Sequence, residues 1–286
     1  MREVDLVHRI RKLAASGYQN RAVREGIGDD CAVVRSTPGC ELVLTTDFVL
    51  EGRHFHLDTH SPADIGHKAL ARSLSDLAAM GSEPLFCLVS LAIRPELASR
   101  WVDAFYKGLL ALANMHKLTL AGGDLSRFDK VVVDVMCCGR VPKGKALLRS
   151  GAKPGHKIFV SGPLGAAAHS NWQLRAEPRV SAGLKLRGLA SAAIDISDGL
   201  SLDLHRLCLE SNVSAELNSA LLPIAPGASL DEALHGGEDY ELLFTAPQAK
   251  IRKVSGTQIG SITYGKAGQV RLNGRVLKPK GFDHFR

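Results

Sequence analysis

No stretch of this 286-residue chain approaches the roughly 18 consecutive apolar residues that a membrane-spanning helix requires. Met1 to Leu13 thread Arg, Glu, Asp, His and Lys through their apolar positions, so a secretory signal peptide is not expected there. Aromatic residues make up only 5% of the chain. No long basic run, zinc-finger spacing or aromatic-rich ribonucleoprotein motif accompanies them, which argues against a nucleic-acid partner. The six cysteines, at 31, 40, 87, 137, 138 and 208, show no Cys-x-x-Cys spacing. They read as reduced thiols of a cytoplasmic protein. Three familiar signatures are also missing: G-x-x-x-x-G-K-[ST], G-x-G-x-x-G after a strand, and H-E-x-x-H. Ser197 is not framed by G-x-S-x-G, so a nucleophile elbow is not indicated.

What is present is the composition of an ordinary globular protein, 45% hydrophobic and 23% charged, long enough for two domains. Lys and Arg total 36 against 29 Asp and Glu, a formal charge of +7. That balance favours polyanionic ligands, and with nucleic acid disfavoured a small phosphorylated molecule is the first expectation. Apolar runs predict strands at Cys31 to Val34, Leu42 to Thr46, Phe86 to Ile93 and Val131 to Cys138. Between them, helical periodicity predicts one helix that starts at Pro62 and stops at Gly81, and another from Pro95 to His116. The first carries Ile65, Ala69, Leu70, Leu74, Leu77 and Ala78 inward. A turn-rich stretch after Arg140 suggests a domain junction near 144, giving domains 1–144 and 145–286. In the second half, strands are expected at Lys157 to Val160, Ala193 to Ile196 and Tyr240 to Thr245, with a helix at Leu200 to Glu210. The class is α/β, with two α/β domains.

Acidic residues recur at the ends of apolar strands or in glycine-rich turns of this basic chain. They stand in Gly26-Ile27-Gly28-Asp29-Asp30, Thr45-Thr46-Asp47, Gly122-Gly123-Asp124, Asp195-Ile196-Ser197-Asp198-Gly199 and Gly236-Gly237-Glu238-Asp239. Such positions hold ligands in α/β proteins, although each motif alone also suits a plain turn, a helix N-cap or, for Glu238-Asp239, a solvated hairpin edge. Asp76 is harder to account for. It falls in the last turns of a predicted helix, where the dipole disfavours a carboxylate by roughly 0.3–1 kcal/mol, and Arg72 one turn earlier is the ordinary partner. Acids brought to one place repel unless divalent cations or raised pKa values relieve them. Oxygen-only ligation by Asp, Glu and Thr suits Mg²⁺ bridging carboxylates to phosphates.

Together these motifs resemble the thiamine-monophosphate kinase family, within the superfamily of aminoimidazole ribonucleotide synthetase, selenophosphate synthetase and a hydrogenase maturation factor. The strings that carry the resemblance run in order through nearly the whole chain: GIGDDCAVV from Gly26, TTDFVLEGRHF from Thr45, SLSDLAAMGSEP from Ser73, AGGDLSR from Ala121, RSGAKPG from Arg149, IDISDGLSLDL from Ile194, GGEDYELLFT from Gly236 and GFDHF from Gly281. The resemblance implies an N-terminal PurM-like α/β domain whose mixed sheet pairs across a homodimer, a C-terminal PurM-like α/β domain, and an active site in a groove. It implies transfer of the ATP γ-phosphoryl group to thiamine monophosphate with several Mg²⁺ ions. By residue, it places metal ligands at Asp30, Thr45, Thr46, Asp47, Asp76, Asp124, Asp195 and Asp198. ATP contacts fall at Gly123, Asp124, Arg149 and Ser197, and thiamine phosphate contacts at His54, Glu238 and Phe282. No covalent catalytic nucleophile is expected, because the acceptor phosphate is already ionised at neutral pH. The stretch from Gly165 to Ala190 looks abbreviated against the family pattern. Two other readings share parts of this pattern: an ATP-dependent ligase of the aminoimidazole ribonucleotide synthetase type, and a non-enzymatic nucleotide-binding module.

Overall fold

The computed structural model describes residues 3–27, 31–169 and 175–282. The chain divides into two compact mixed α/β units, Met1–Leu77 with Glu83–Lys143, and Ala78–Ser82 with Gly144–Arg286.

The first unit opens with a helix that the sequence pattern does not predict, α1 (Glu3–Ala15). Its charged residues mask a stripe of Leu6, Ile10 and Ala14, four residues apart and all buried. A short antiparallel pair follows, β1 (Val23–Glu25) and β2 (Val33–Val34). The main sheet has the order β3-β6-β4-β5, formed by β3 (Cys40–Leu50), β4 (Glu83–Ile93), β5 (Thr119–Arg127) and β6 (Val132–Pro142). β6 runs antiparallel to both β3 and β4, and β4 pairs in parallel with β5. Alternation assigns the faces: Val49, Val89, Leu91, Val133, Val135 and Cys137 are buried, whereas Leu42, Leu44 and Phe48 of edge strand β3 are exposed.

Two helices belong to this unit's α layer, α2 (Pro62–Ala79) and α3 (Arg100–Met115). The inward residues expected for α2 are all buried, and its Ser73 hydroxyl donates to the Val135 carbonyl of β6 at 2.8 Å. The expected second helix is shorter than its periodicity suggests. Pro95–Leu97 form a separate 3-10 turn, and the α-helix begins only at Arg100. α2 and α3 cross at glycines: a Cβ on Gly66 would collide with the Phe105 carbonyl, and one on Gly108 with the Ala63 carbonyl. Close backbone approach is what glycine permits there.

The second unit carries a seven-stranded sheet in the order β13-β12-β9-β11-β7-β10-β8. Its strands are β7 (Lys157–Val160), β8 (Ala192–Asp195), β9 (Ser214–Leu217), β10 (Leu242–Ala246), β11 (Thr257–Thr263), β12 (Val270–Leu272) and β13 (Arg275–Leu277). All pairs are antiparallel except β12 with β9. The helices are α4 (Ala166–His169), α5 (Val180–Leu186), α6 (Leu200–Glu210) and α7 (Leu230–His235). β10 is buried at every position, so its sequence is a continuous apolar run rather than an alternation. Leu200, Leu204, Leu207 and Cys208 of α6 join Ile158, Val160, Ile194 and Leu243 in this unit's core.

Candidate active site

In the first unit, β3 and α2 build an acidic cluster by ordinary register. Thr45, Asp47 and Val49 alternate onto one face of β3, while Arg72 and Asp76 lie one turn apart on α2. Thr45 donates its hydroxyl to the Asp76 carboxylate, and Arg72 Nη2 lies 3.5 Å from Asp47 Oδ1. The arginine therefore reaches Asp47, and the Thr45 hydroxyl is one partner of Asp76 at its disfavoured place in the helix. Burial pushes the Asp47 carboxyl up to about 6; Arg72 opposes this, and Asp76 and Asp134 add to it.

On the opposite face of β3, Thr46 donates to Asp134 of β6. Asp134 was not singled out in the sequence, where it is a lone acid in the run Val131 to Met136. An isolated carboxylate amid strand-forming apolar residues was the available signal. Asp124 is exposed and shares a cross-strand row with Ser90 and Asp134. Gly122 to Asp124 are not a turn, as their glycines suggested, but lie inside β5. A Cβ on Gly123, with φ 155°, would overlap the Val89 carbonyl. The nearby cavity of about 1020 Å³ includes Gly26, Ile27, Ser90, Gly122, Gly123 and Met136 in its lining. His54 is nearly buried, and its Nδ1 accepts from the Leu50 N–H at 3.0 Å. Asp30 lies outside the described residues.

In the second unit, three motifs far apart in sequence meet. Asp195 ends β8 and is buried, and Ser197, Asp198 and Gly199 lead into α6. Asp203, in the first turn of α6, reaches back so that one carboxylate oxygen accepts the N–H groups of Ser197, Asp198 and Gly199 at 3.2, 3.0 and 3.1 Å. Arg206 Nη1 donates to Asp198 at 2.5 Å and to Asp203 at 2.8 Å. Burial raises the Asp203 carboxyl to about 6, against the lowering effects of the Asp198 N–H and Arg206. The Glu238 N–H donates to the Ser197 carbonyl at 2.8 Å, and the Phe282 N–H to the Asp198 carbonyl at 3.1 Å. Ser197, Asp198, Glu238 and Phe282 are thus neighbours. Arg149 is exposed, and its carbonyl accepts from the Ser211 hydroxyl.

The solvated hairpin edge considered for Glu238-Asp239 is not found. Asp239 is buried and accepts from the Gly165 and Ala167 N–H groups at 2.7 and 3.3 Å. Burial lifts its carboxyl to about 6, with those N–H bonds opposing. Glu241, also buried, takes a forked bond from Arg179 at 2.9 and 2.5 Å. The roles of Asp203, Arg206 and Arg179 had no distinct sequence signature, because each is set by where loops return in space.

The donors gathered around β3 and α2 are carboxylate and hydroxyl oxygens, a set that fits a hard divalent cation completed by water and phosphate. Among the described residues, no three His, Cys, Asp or Glu side chains are grouped closely enough to hold a metal by themselves. Two carboxylates and a hydroxyl are in keeping with Mg²⁺, which is commonly held by one or two carboxylates plus phosphates.

The family model for the N-terminal domain of AIR synthase related proteins matches residues 28–141. The thiamine-monophosphate kinase of Escherichia coli (strain K12) is 37% identical over 303 residues, covering 92% of each chain. The crystal structure of thiamine-monophosphate kinase from Stenotrophomonas maltophilia K279a matches with a TM-score of 0.85 at 36% identity, over 97% of this chain and 98% of that one. The solved structure of AaThiL complexed with AMPPCP and TMP matches with a TM-score of 0.80 at 31% identity, over 100% of this chain and 99% of that one. With this identity sustained over nearly full length, the chain belongs to the thiamine-monophosphate kinase family.

Proposed function

We propose that this protein transfers the γ-phosphoryl group of ATP to the phosphate of thiamine monophosphate, yielding thiamine diphosphate and ADP. The observation that carries the reading is the full-length likeness to AaThiL complexed with AMPPCP and TMP, an ATP analogue and, in this family, the substrate. Donor and acceptor are both anions, so the protein's task is to neutralise charge and align the acceptor oxygen with the γ-phosphorus. Bound Mg²⁺ would supply that neutralisation and a template for the phosphates.

Asp30, Thr45, Thr46, Asp47, Asp76, Asp124, Asp195 and Asp198 are assigned to the metal ions. Thr45 steadies Asp76 by its hydroxyl bond, and Arg72 steadies Asp47. Gly123, Asp124, Arg149 and Ser197 are assigned to ATP, the glycine giving backbone access and Arg149 a charged planar donor set. His54, Glu238 and Phe282 are assigned to thiamine monophosphate, where Phe282 offers an aromatic face, 37% exposed, to a cationic ring. The proposed transfer is direct and in line, with no phosphoenzyme.

The exposed Leu42, Leu44 and Phe48 on edge strand β3 support a homodimer in which two such faces cover each other. Among the described residues no helix is long and apolar enough to cross a membrane, and the cysteines are free thiols. Those thiols support a cytoplasmic location. The deciding assay supplies ATP, Mg²⁺ and thiamine monophosphate and follows thiamine diphosphate and ADP; folded protein that makes neither would refute the assignment.

A further inference from the structure

The segment from Glu238 to Glu241 makes two anchors that the assigned reaction does not use. Asp239 grips the N–H groups of Gly165 and Ala167, where the chain has just left β7 and enters α4. Two residues on, Glu241 grips the guanidinium of Arg179, the residue just before α5. Its second carboxylate oxygen also accepts from Ser161, 2.5 Å away, and the Ser161 oxygen accepts from the Leu242 N–H at 2.7 Å. One short strand lead-in is therefore fastened to both ends of the connection that runs from Gly165 to Arg179. This is the connection within the stretch that looks abbreviated against the family pattern.

Energetics argue that these bonds serve geometry more than stability. Glu241 is 2% exposed, and a buried ion pair seldom stabilises more than apolar packing of the same volume, while losing one partner is costly. The segment also contains an energetic cost of its own. Glu238 and Tyr240, on either side of Asp239, have φ of 67° and 52°, a left-handed conformation that is strained for residues other than glycine. Such a conformation persists only where the surroundings enforce it, and the side-chain bonds of Asp239 and Glu241 act there together with the bond from the Tyr240 N–H to the Ile196 carbonyl at 2.9 Å. The residue thereby held in place is Glu238, whose N–H is also fixed to the Ser197 carbonyl at 2.8 Å.

We propose that Asp239, Glu241 and Arg179 are positioning residues that hold Glu238 for the phosphorylated acceptor, tying its loop to both ends of the Gly165–Arg179 connection. The proposal rests on the kinase reading only in naming that acceptor. The fastening itself is a property of the chain.

The test uses full-length protein with three variants: Asp239→Asn, the double replacement Arg179→Gln with Glu241→Gln, and Arg179→Lys. The double variant removes both charges together and avoids leaving one buried alone. Steady-state kinetics should show KM for thiamine monophosphate raised about tenfold or more in Asp239→Asn and in the double variant, with KM for ATP within about twofold of wild type. Arg179→Lys, which keeps the charge without the fork, should recover part of the loss. Amide hydrogen exchange, which needs no substrate, should quicken about tenfold in residues 236–241 and 165–167 together, and not in α6. If the wild type makes no thiamine diphosphate but the linked change in exchange is seen, the kinase reading fails and the fastening stands. Unchanged KM for thiamine monophosphate, or exchange that quickens in one segment alone, would overturn the proposal. If the double variant does not fold, Asp239→Asn and Arg179→Lys decide by the same readouts.

Discussion

Asp47 is kept largely from water between a strand and a helix, and its carboxyl titrates near 6 because burial and two neighbouring acids outweigh Arg72. A group in that state costs native stability whenever it is ionised, which suits the cation-ligand role proposed for it. Asp47→Asn should therefore act in opposite directions on two measurements. Thiamine diphosphate formation should fall at least about a hundredfold, because a ligand matched to charge in the transition state is lost. In the absence of divalent cation, the melting temperature at pH 7.5 should rise by a few degrees, the neutral side chain no longer being desolvated as an anion. Asp198→Asn should lose comparable activity, since Asp198 is held by Arg206 at 2.5 Å beside the Ser197 and Glu238 backbone. A variant of either residue that turns over normally at ordinary Mg²⁺ concentration would remove that residue from the metal set.

At the level of elements, what could be read in advance was whatever local periodicity controls. α6 begins and ends where its sequence pattern does, and the inward face of α2 contains the apolar residues its spacing requires. β5 was illegible for the opposite reason. Its glycines suggest a turn to any local reading, and only the parallel neighbour β4, pressing the Val89 carbonyl against Gly123, explains them as strand residues. α1 escaped because its charges break up the apolar stripe in sequence though not in space. The acidic motifs were visible as types, whereas the partners that arrange them, Asp134, Asp203 and Arg179, depend on pairings between distant segments. Gly66→Val should destabilise the protein by about 3 kcal/mol or more, because α2 and α3 must separate to admit a side chain against the Phe105 carbonyl; chemical denaturation measures this. Leu44→Lys, at a position 61% exposed on edge strand β3, should leave the melting curve of a monomer nearly unchanged but shift the proposed dimer to monomer in sedimentation.

Across the whole molecule, three carboxyls in separate surroundings share one property: Asp47, Asp203 and Asp239 each titrate near 6 in the folded protein, burial being the largest cause for all three. In the unfolded chain each would titrate near 3.8. Between those values the native state retains protons that the unfolded state has released, so their contribution to stability must fall as pH rises. Below about 3.8 both states are protonated and the contribution is flat; above about 6 both are ionised and it is flat again, at its least favourable level. A displacement of this size corresponds to roughly 3 kcal/mol for each group as an upper bound. The clean observable is a difference. The melting temperature of Asp47→Asn minus that of wild type, both without divalent cation, should be near zero at pH 4, grow through pH 5, and level off above pH 6. Saturating Mg²⁺ should shrink the plateau, because a bound cation stabilises the ionised form that only the wild type possesses. A difference that is constant with pH, or greatest at pH 4, would mean that Asp47 is not held above its ordinary range, and the acidic cluster on β3 and α2 would lose its main mark as a cation site.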